Sequence, residues 1–423
     1  MKRMTTALAA VVLAAATTAA SAEMTLEIQY PYSHLFDKTH QIIAEEFQKE
    51  HPDIKLKFRA AYENYEDGNQ KVLKEAITKK MPDVTYQGLN RVRILVEKGI
   101  ARPLEPFIAK ESDFSKDGYH QAMLDIGTYD DQVYSLPFAV SLPISYYNMD
   151  LVRQAGWDEN DLPDSWDEVI ELAKKIDALG EDTHGMFFGW NITGNWFWQA
   201  LNFSQGGTML DAKEEKVAFD GEIGKWSMAT FARFTTETNM PNLGTKDVSQ
   251  VFAAGKIGMF FWSTSILARM TEWVGDKFEL KTGPYPSVKV DVGGLPAGGN
   301  GAVMLTSDPE RQEAAWKYIK FATSGRGAAV VAETTGYMPP NKKANEVFLK
   351  DFYDQHPNHM AAVKQLPLLT NWYAFPGKNG LKITDVIYDD MQSIVTRERS
   401  GEPEAVLDDM VNDVQKLLPK PSS

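Results

Sequence analysis

Apolar and polar residues alternate near the start of the chain and then settle into a longer period. Met24, Leu26, Ile28 and Tyr30 alternate with polar neighbours, the period of two that predicts a strand. Ile42, Ile43 and Phe47, with charges between them, predict an amphipathic helix that stops near His51-Pro52. Ile54, Leu56 and Phe58 return to the period of two. This strand–helix–strand order is a βαβ unit. Repeated units of this kind build a mostly parallel sheet with helices on its faces.

The rhythm continues with a helix over 70–80, a short strand over 84–87 after Pro82-Asp83, and a helix over 91–98. Two extended stretches, 133–138 and 143–148, are separated by 139–142. Ser165 and Glu168 have capping-box spacing ahead of Val169, Ile170, Leu172 and Ala173, which predicts a helix start there. A helix follows over 228–237. Residues 248–254 then lead through Gly255 into a strand aimed at Trp262-Ser263-Thr264. Residues 278–286 read as extended, 293–300 as a glycine-rich loop, 302–305 as a strand and 309–323 as a helix. Prolines and glycines mark no single linker, which suits a backbone that crosses between two lobes more than once.

The N-terminus changes the picture. Met1-Lys2-Arg3, the apolar stretch 6–20 and Ala20-Ser21-Ala22 have the layout of a secretory signal cleaved after Ala22. The apolar stretch is too short for a membrane anchor, and Glu23 follows directly. Removing 22 of 423 residues leaves 401, enough for two or three units with cores of their own. Losing Lys2 and Arg3 moves the formal net charge from −14 to −16, unsuited to nucleic acid or an anionic membrane. The chain has no cysteine. That excludes disulfides, thiol catalysis, thiolate metal sites and a lipid anchor at the cleavage point. A protein free in a periplasm is expected.

Catalytic signatures are absent. There is no G-x-S-x-G elbow, no phosphate loop, and no G-x-G-x-x-G between a strand and a helix. His356 and His359 flank Pro357-Asn358 with no Glu nearby, so no metal or other cofactor is expected. Carboxylate pairs such as Glu45-Glu46 and Asp408-Asp409 read as solvated helix faces. A secreted carbohydrate-active enzyme, which needs two carboxyls facing across a sugar, stays open as an alternative. So does an envelope protein that binds only a partner protein.

Ten tryptophans and sixteen tyrosines favour carbohydrate binding. Trp190, Trp196 and Trp198 lie in 189–199, among amides, a hydroxyl and glycines. A sugar offers apolar C–H faces to rings and hydroxyl edges to amides, and this stretch supplies both. Trp157, Trp166, Trp226 and Trp316 follow helical patterns and read as structural. Trp190, Trp196, Trp262, Tyr337 and Trp372 each sit in a loop-like segment after a strand or beside glycines, where open α/β sheets bind ligands.

Several ordered patterns together resemble the bacterial extracellular solute-binding family 1. They are Phe47 with His51-Pro52-Asp53-Ile54; Pro82-Asp83-Val84; Leu136-Pro137-Phe138 with Tyr146-Tyr147-Asn148-Met149-Asp150; Pro163 to Glu168; Phe252 to Met259; and Thr335-Gly336-Tyr337-Met338-Pro339. The resemblance spans about 25–415. It implies a type II periplasmic-binding-protein fold: two α/β lobes, each a mostly parallel sheet flanked by helices, closing on a ligand between them. The implied division is 1–22 signal peptide, 23–140 and 285–340 N-terminal lobe, and 141–284 and 341–423 C-terminal lobe. Crossovers are expected near 138–142, 280–286 and 339–343. The implied role is that of a monomeric receptor handing a sugar-like solute to the membrane permease subunits of an ABC importer.

Within the family the chain is similar to the glycerol-3-phosphate-binding branch. Position by position, that similarity implies cleft roles for Tyr65, Gln87 (where the branch carries an acid), Ser141, Ser263 or Thr264, Gly301 and Tyr337. The phosphate-gripping arginine expected near 376 is missing, and Trp372-Tyr373-Ala374-Phe375-Pro376-Gly377-Lys378 stands there instead. A dianion without an arginine fork would be unusual, although Lys378 offers a point charge. A neutral mono- or oligosaccharide is therefore the favoured ligand, with sn-glycerol 3-phosphate or a related polyol phosphate as the alternative.

Overall fold

The computed structural model describes residues 23–289 and 291–420; the signal peptide expected over 1–22 and the expected cleavage after Ala22 lie outside them. In chain order the strands of the two main sheets are β1 (Met24–Gln29), β2 (Ile54–Phe58), β3 (Val84–Gly88), β4 (Ser135–Ser141), β5 (Pro143–Asn148), β6 (His184–Phe188), β7 (Ile257–Ser263), β8 (Leu280–Gly283) and β9 (Gly298–Met304). The first sheet runs β2-β1-β3-β9-β4 and the second β8-β5-β7-β6.

The alternating runs form the first sheet. β1 pairs in parallel with β2 and β3, and β9 inserts antiparallel between β3 and β4. Helix Ser33–Glu50 buries Phe36, Ile43 and Phe47 against one face, beside Tyr318 and Ile319 of helix Pro309–Thr323. On the other face Val72, Val92 and Leu95 pack on Val303. Each such side chain contributes roughly 1.5–3 kcal/mol of apolar burial. The central strands β5 and β7 of the second sheet are buried on both faces, and the core there includes Trp166 packed on Phe188, Phe234, Phe261 and Tyr285.

Several expectations shift. Neither sheet is mostly parallel: β9 returns antiparallel between β3 and β4, and in the second sheet β5 runs antiparallel to both β8 and β7, because these strands are joined by tight or returning connections and not by βαβ crossovers. The helix expected over 228–237 begins earlier, at Glu222. The helix expected over 70–80 is Tyr65–Thr78, because the Asn64 side chain accepts the Asp67 N–H and starts it earlier. The loop expected over 293–300 becomes strand from Gly298 onward. There the bare glycine backbone fits between β3 and β4, with a register shift at Asn300/Gly301. The cap at Ser165 forms, its Oγ accepting the Glu168 N–H at 3.4 Å, while Glu168 reaches back to the Asp164 N–H at 3.1 Å.

The chain passes between the sheets at three places. β4 ends at Ser141 and β5 begins at Pro143, so Leu142 alone separates them. The segment after β8 returns to β9. Later, Met338 pairs with Val140 through reciprocal backbone bonds, before helices Gly380–Val395 and Pro403–Leu417 pack against the second core.

Candidate ligand-binding cleft

Where β4 and β7 end and β9 begins, the sheets face each other across a cavity of about 340 Å3. The first sheet's side supplies Tyr32, His34, Tyr65, Glu66, Ser141, Gly298, Gly299 and Tyr337. The second contributes Asn191, Thr193, Trp196, Trp262, Ser263 and Ser265, and Trp372 comes from the C-terminal segment. Aromatic rings form the walls. Tyr65 stands edge-on to Tyr32 at 5.0 Å and to Trp372 at 6.3 Å, and Trp262 stacks on Phe260 at 4.8 Å. The Trp196 and Trp372 N–H groups donate to the Pro296 and Gly194 carbonyls at 2.9 and 3.1 Å. With their donors satisfied by backbone, both rings are fixed in place and offer apolar faces.

Polar groups sit between the rings. The Tyr65 and Tyr337 hydroxyls lie 3.4 Å apart, and burial raises both phenols above their ordinary range, so both remain protonated donors at neutral pH. Glu66 is the one acidic or basic side chain other than His34 among the lining residues. Its Oε1 accepts from Arg91 Nη2 and from Thr193 Oγ1, each at 2.8 Å, and the threonine comes from the opposite side of the cleft. Burial and nearby Arg269 lower the His34 pKa from its ordinary 6.5, so the ring is predominantly neutral at pH 7.

Most of this architecture carries a family signature. The model for the bacterial extracellular solute-binding protein family matches residues 35–329. The chain belongs to that family. It is therefore a binding protein of ABC transport, which captures small molecules and hands them to permease subunits, and not an enzyme. The sn-glycerol-3-phosphate-binding periplasmic protein UgpB of Escherichia coli K12 is 24% identical over 400 residues, 89% of this chain and 88% of that one. Among solved structures, UgpB from Mycobacterium tuberculosis in complex with glycerophosphocholine superposes with a TM-score of 0.82 at 21% identity, covering 93% of this chain and 98% of that one. The sugar-binding protein MalE from Xanthomonas citri gives 0.79 at 17% identity, covering 93% and 97%. These structures share the type II two-lobed fold.

The fold of this solute-binding protein brings seven of the sequence-derived candidates to the cavity: Tyr65, Ser141, Trp196, Trp262, Ser263, Tyr337 and Trp372. Four lie elsewhere. Gln87 is spent inside the first sheet, donating to Thr85 Oγ1 at 2.9 Å and accepting from Asn69 at 3.4 Å. Thr264 bonds Leu142 at both ends, its N–H to the carbonyl at 3.1 Å and its Oγ1 from the N–H at 3.3 Å. Gly301 is mid-strand, opposite Gln87 and Pro137. Trp190 turns away and packs on Tyr388 at 5.1 Å. Lys378 lines a separate cavity beside Arg91 and Arg93.

Sequence reasoning missed Tyr32, Glu66, Asn191 and Thr193. The last two fall inside the aromatic–amide stretch already singled out, and Glu66 follows a candidate tyrosine. Nothing in the sequence marks Tyr32, whose backbone takes a left-handed φ of 54°.

Proposed function

We propose that the protein is the periplasmic receptor of an ABC importer for a neutral sugar or short oligosaccharide. One observation carries this reading: no lysine or arginine is among the cavity-lining residues, and the charged group there is the Glu66 carboxylate. A phosphate dianion would meet that carboxylate, and the Arg91 guanidinium behind it is already committed to Glu66 and does not line the cavity. A neutral polyol instead presents hydroxyl donors to Glu66 and the serines, and its C–H faces to Trp196, Trp262 and Trp372. The names of the E. coli and M. tuberculosis relatives support the polyol-phosphate alternative, which the same test decides.

The lobe division 23–140 with 285–340, and 141–284 with 341–423, is supported at the strands by sheet membership, β1 to β4 and β9 on one side and β5 to β8 on the other, while Leu295 pairs with Leu369 and Ala344 packs on Ala328 across its bounds. Export and cleavage after Ala22 rest on the N-terminal sequence, and a monomer that ignores nucleic acid rests on the acidic charge. No helix among the described residues is long and apolar enough to cross a membrane.

A thermal-shift screen of the exported protein against neutral mono- and oligosaccharides, polyols and sn-glycerol 3-phosphate tests the reading. A neutral sugar at a hundred times its Kd should add about 2.7 kcal/mol of stability and be recovered unchanged. Stabilisation by sn-glycerol 3-phosphate alone would overturn the neutral-sugar assignment. Mass spectrometry of the periplasmic product should find a chain beginning at Glu23.

A further inference from the structure

Trp372 lines two cavities: the ligand cavity, and a smaller one of about 170 Å3 bordered by Arg93, Glu214 and Tyr373. Arg93 follows β3 of the first sheet, in helix Val92–Glu97. Glu214 belongs to a turn after β6 of the second sheet. Their side chains meet in a two-pronged pair, Nη1 to Oε1 at 2.7 Å and Nη2 to Oε2 at 2.6 Å. Tyr373, the neighbour of Trp372, donates its hydroxyl to the same Oε1 at 2.8 Å.

Both ends of this contact are held in place. Asp211 Oδ1 accepts the Glu215 and Lys216 N–H groups at 2.8 and 3.2 Å, closing the turn on Glu214, whose φ of 56° is unfavourable for a residue with a side chain. Such conformations persist where surrounding structure enforces them, and they concentrate at functional sites. The Tyr373 backbone is gripped by the Gln199 amide, N–H to Oε1 at 2.8 Å and carbonyl from Nε2 at 3.1 Å. A charge on the first lobe is thus linked through Glu214 and Tyr373 to the segment that presents Trp372 to the ligand. Two further polar contacts across the cleft, Thr193 to Glu66 and Arg269 to the His34 carbonyl, involve residues of the ligand cavity itself.

We propose that Arg93, Glu214 and Tyr373 form a closure latch: positioning residues that hold the lobes together and fix Trp372 against the ligand without touching it. This rests on the reading that the two sheets are the cores of moving lobes. A fully formed ion pair gives the closed state an advantage before ligand arrives, and ligand retention then depends on how firmly the latch holds.

The absence of cysteine makes the test direct. Lys55→Cys on the first lobe and Glu181→Cys on the second, both exposed, accept spin labels, and the interlobe distance distribution of the unliganded full protein is measured by pulsed electron paramagnetic resonance. Arg93→Gln and Glu214→Gln should each lower the closed-to-open ratio about fivefold, the equivalent of ~1 kcal/mol for one well-formed pair. The double variant should lower it no further, because the two changes remove one interaction. Tyr373→Phe should produce a smaller drop. Two separate populations that the single variants leave unchanged, or that shift additively in the double variant, would overturn the latch alone. A single narrow distance in wild type and all variants would overturn the moving-lobe reading as well.

Discussion

A single missing atom shapes the cavity at Gly298 and Gly299. A Cβ on Gly298 would stand 2.7 Å from Ser141 Oγ and 2.8 Å from the Trp196 ring. On Gly299, at φ 113°, it would lie 1.9 Å from the Ala139 carbonyl oxygen, a rigid backbone atom. Gly299→Ala should therefore cost about 2 kcal/mol or more of stability. Calorimetry showing an unchanged melting temperature would contradict this. At the ring positions, Trp262→Ala and Trp372→Ala should each weaken binding of the cognate sugar by roughly 2 kcal/mol, as for buried aromatic anchors. Normal folding with wild-type affinity in both would reassign these rings to the core. Residue types pointed to this chemistry; side-chain direction was not readable. Ser263 and Thr264 show why: they are adjacent, yet one lines the cavity and the other braces Leu142. Trp190 and Trp196 came from one stretch and separated in the same way.

Elements were more legible than sites, because periodicity reports burial directly. Helix Pro309–Thr323 and strands β1 and β2 follow from pattern alone. β9 did not, since its glycines are selected by close approach to neighbouring strands, a tertiary constraint that local composition reads as a loop. The antiparallel helices near the C-terminus carry a different tension. Burial, then Asp409 and Asp413, push the Asp390 carboxyl from 3.8 up to about 7, with Asp389 adding to the effect and Arg399 opposing it. The folded state therefore holds this proton more tightly than the unfolded chain. The associated stability is present at low pH and is lost as pH rises from about 4 to 7. Asp390→Asn removes that dependence, so its melting temperature should gain on wild type with rising pH, more at pH 8 than at pH 5. A difference that stays constant across this range would mean that Asp390 titrates normally.

For the molecule as a whole, the scatter of prolines and glycines announced repeated crossing, but the pairing it produces could not be read, because strand order depends on contacts distant in sequence. The outcome is that the first sheet is not built from one continuous piece of chain, and that the second, whose strands are consecutive, is covered by helices from the far C-terminus. β9 joins β3 to β4, yet it is made only after all four strands of the second sheet. A fragment ending at Gly283 contains the whole second sheet but lacks β9 and helix Pro309–Thr323. In it, β4 would lose its partner in the first sheet, and Phe36 and Phe47 would lose the cover of Tyr318 and Ile319. Helices Gly380–Val395 and Pro403–Leu417 would also be gone from the second core. Two incomplete cores cannot offset the conformational entropy of ordering the chain. The fragment should show no cooperative thermal transition by circular dichroism, whereas the full chain should. A sharp transition in the fragment would mean that the second sheet is stable alone and that crossing the cleft serves only to hinge the lobes.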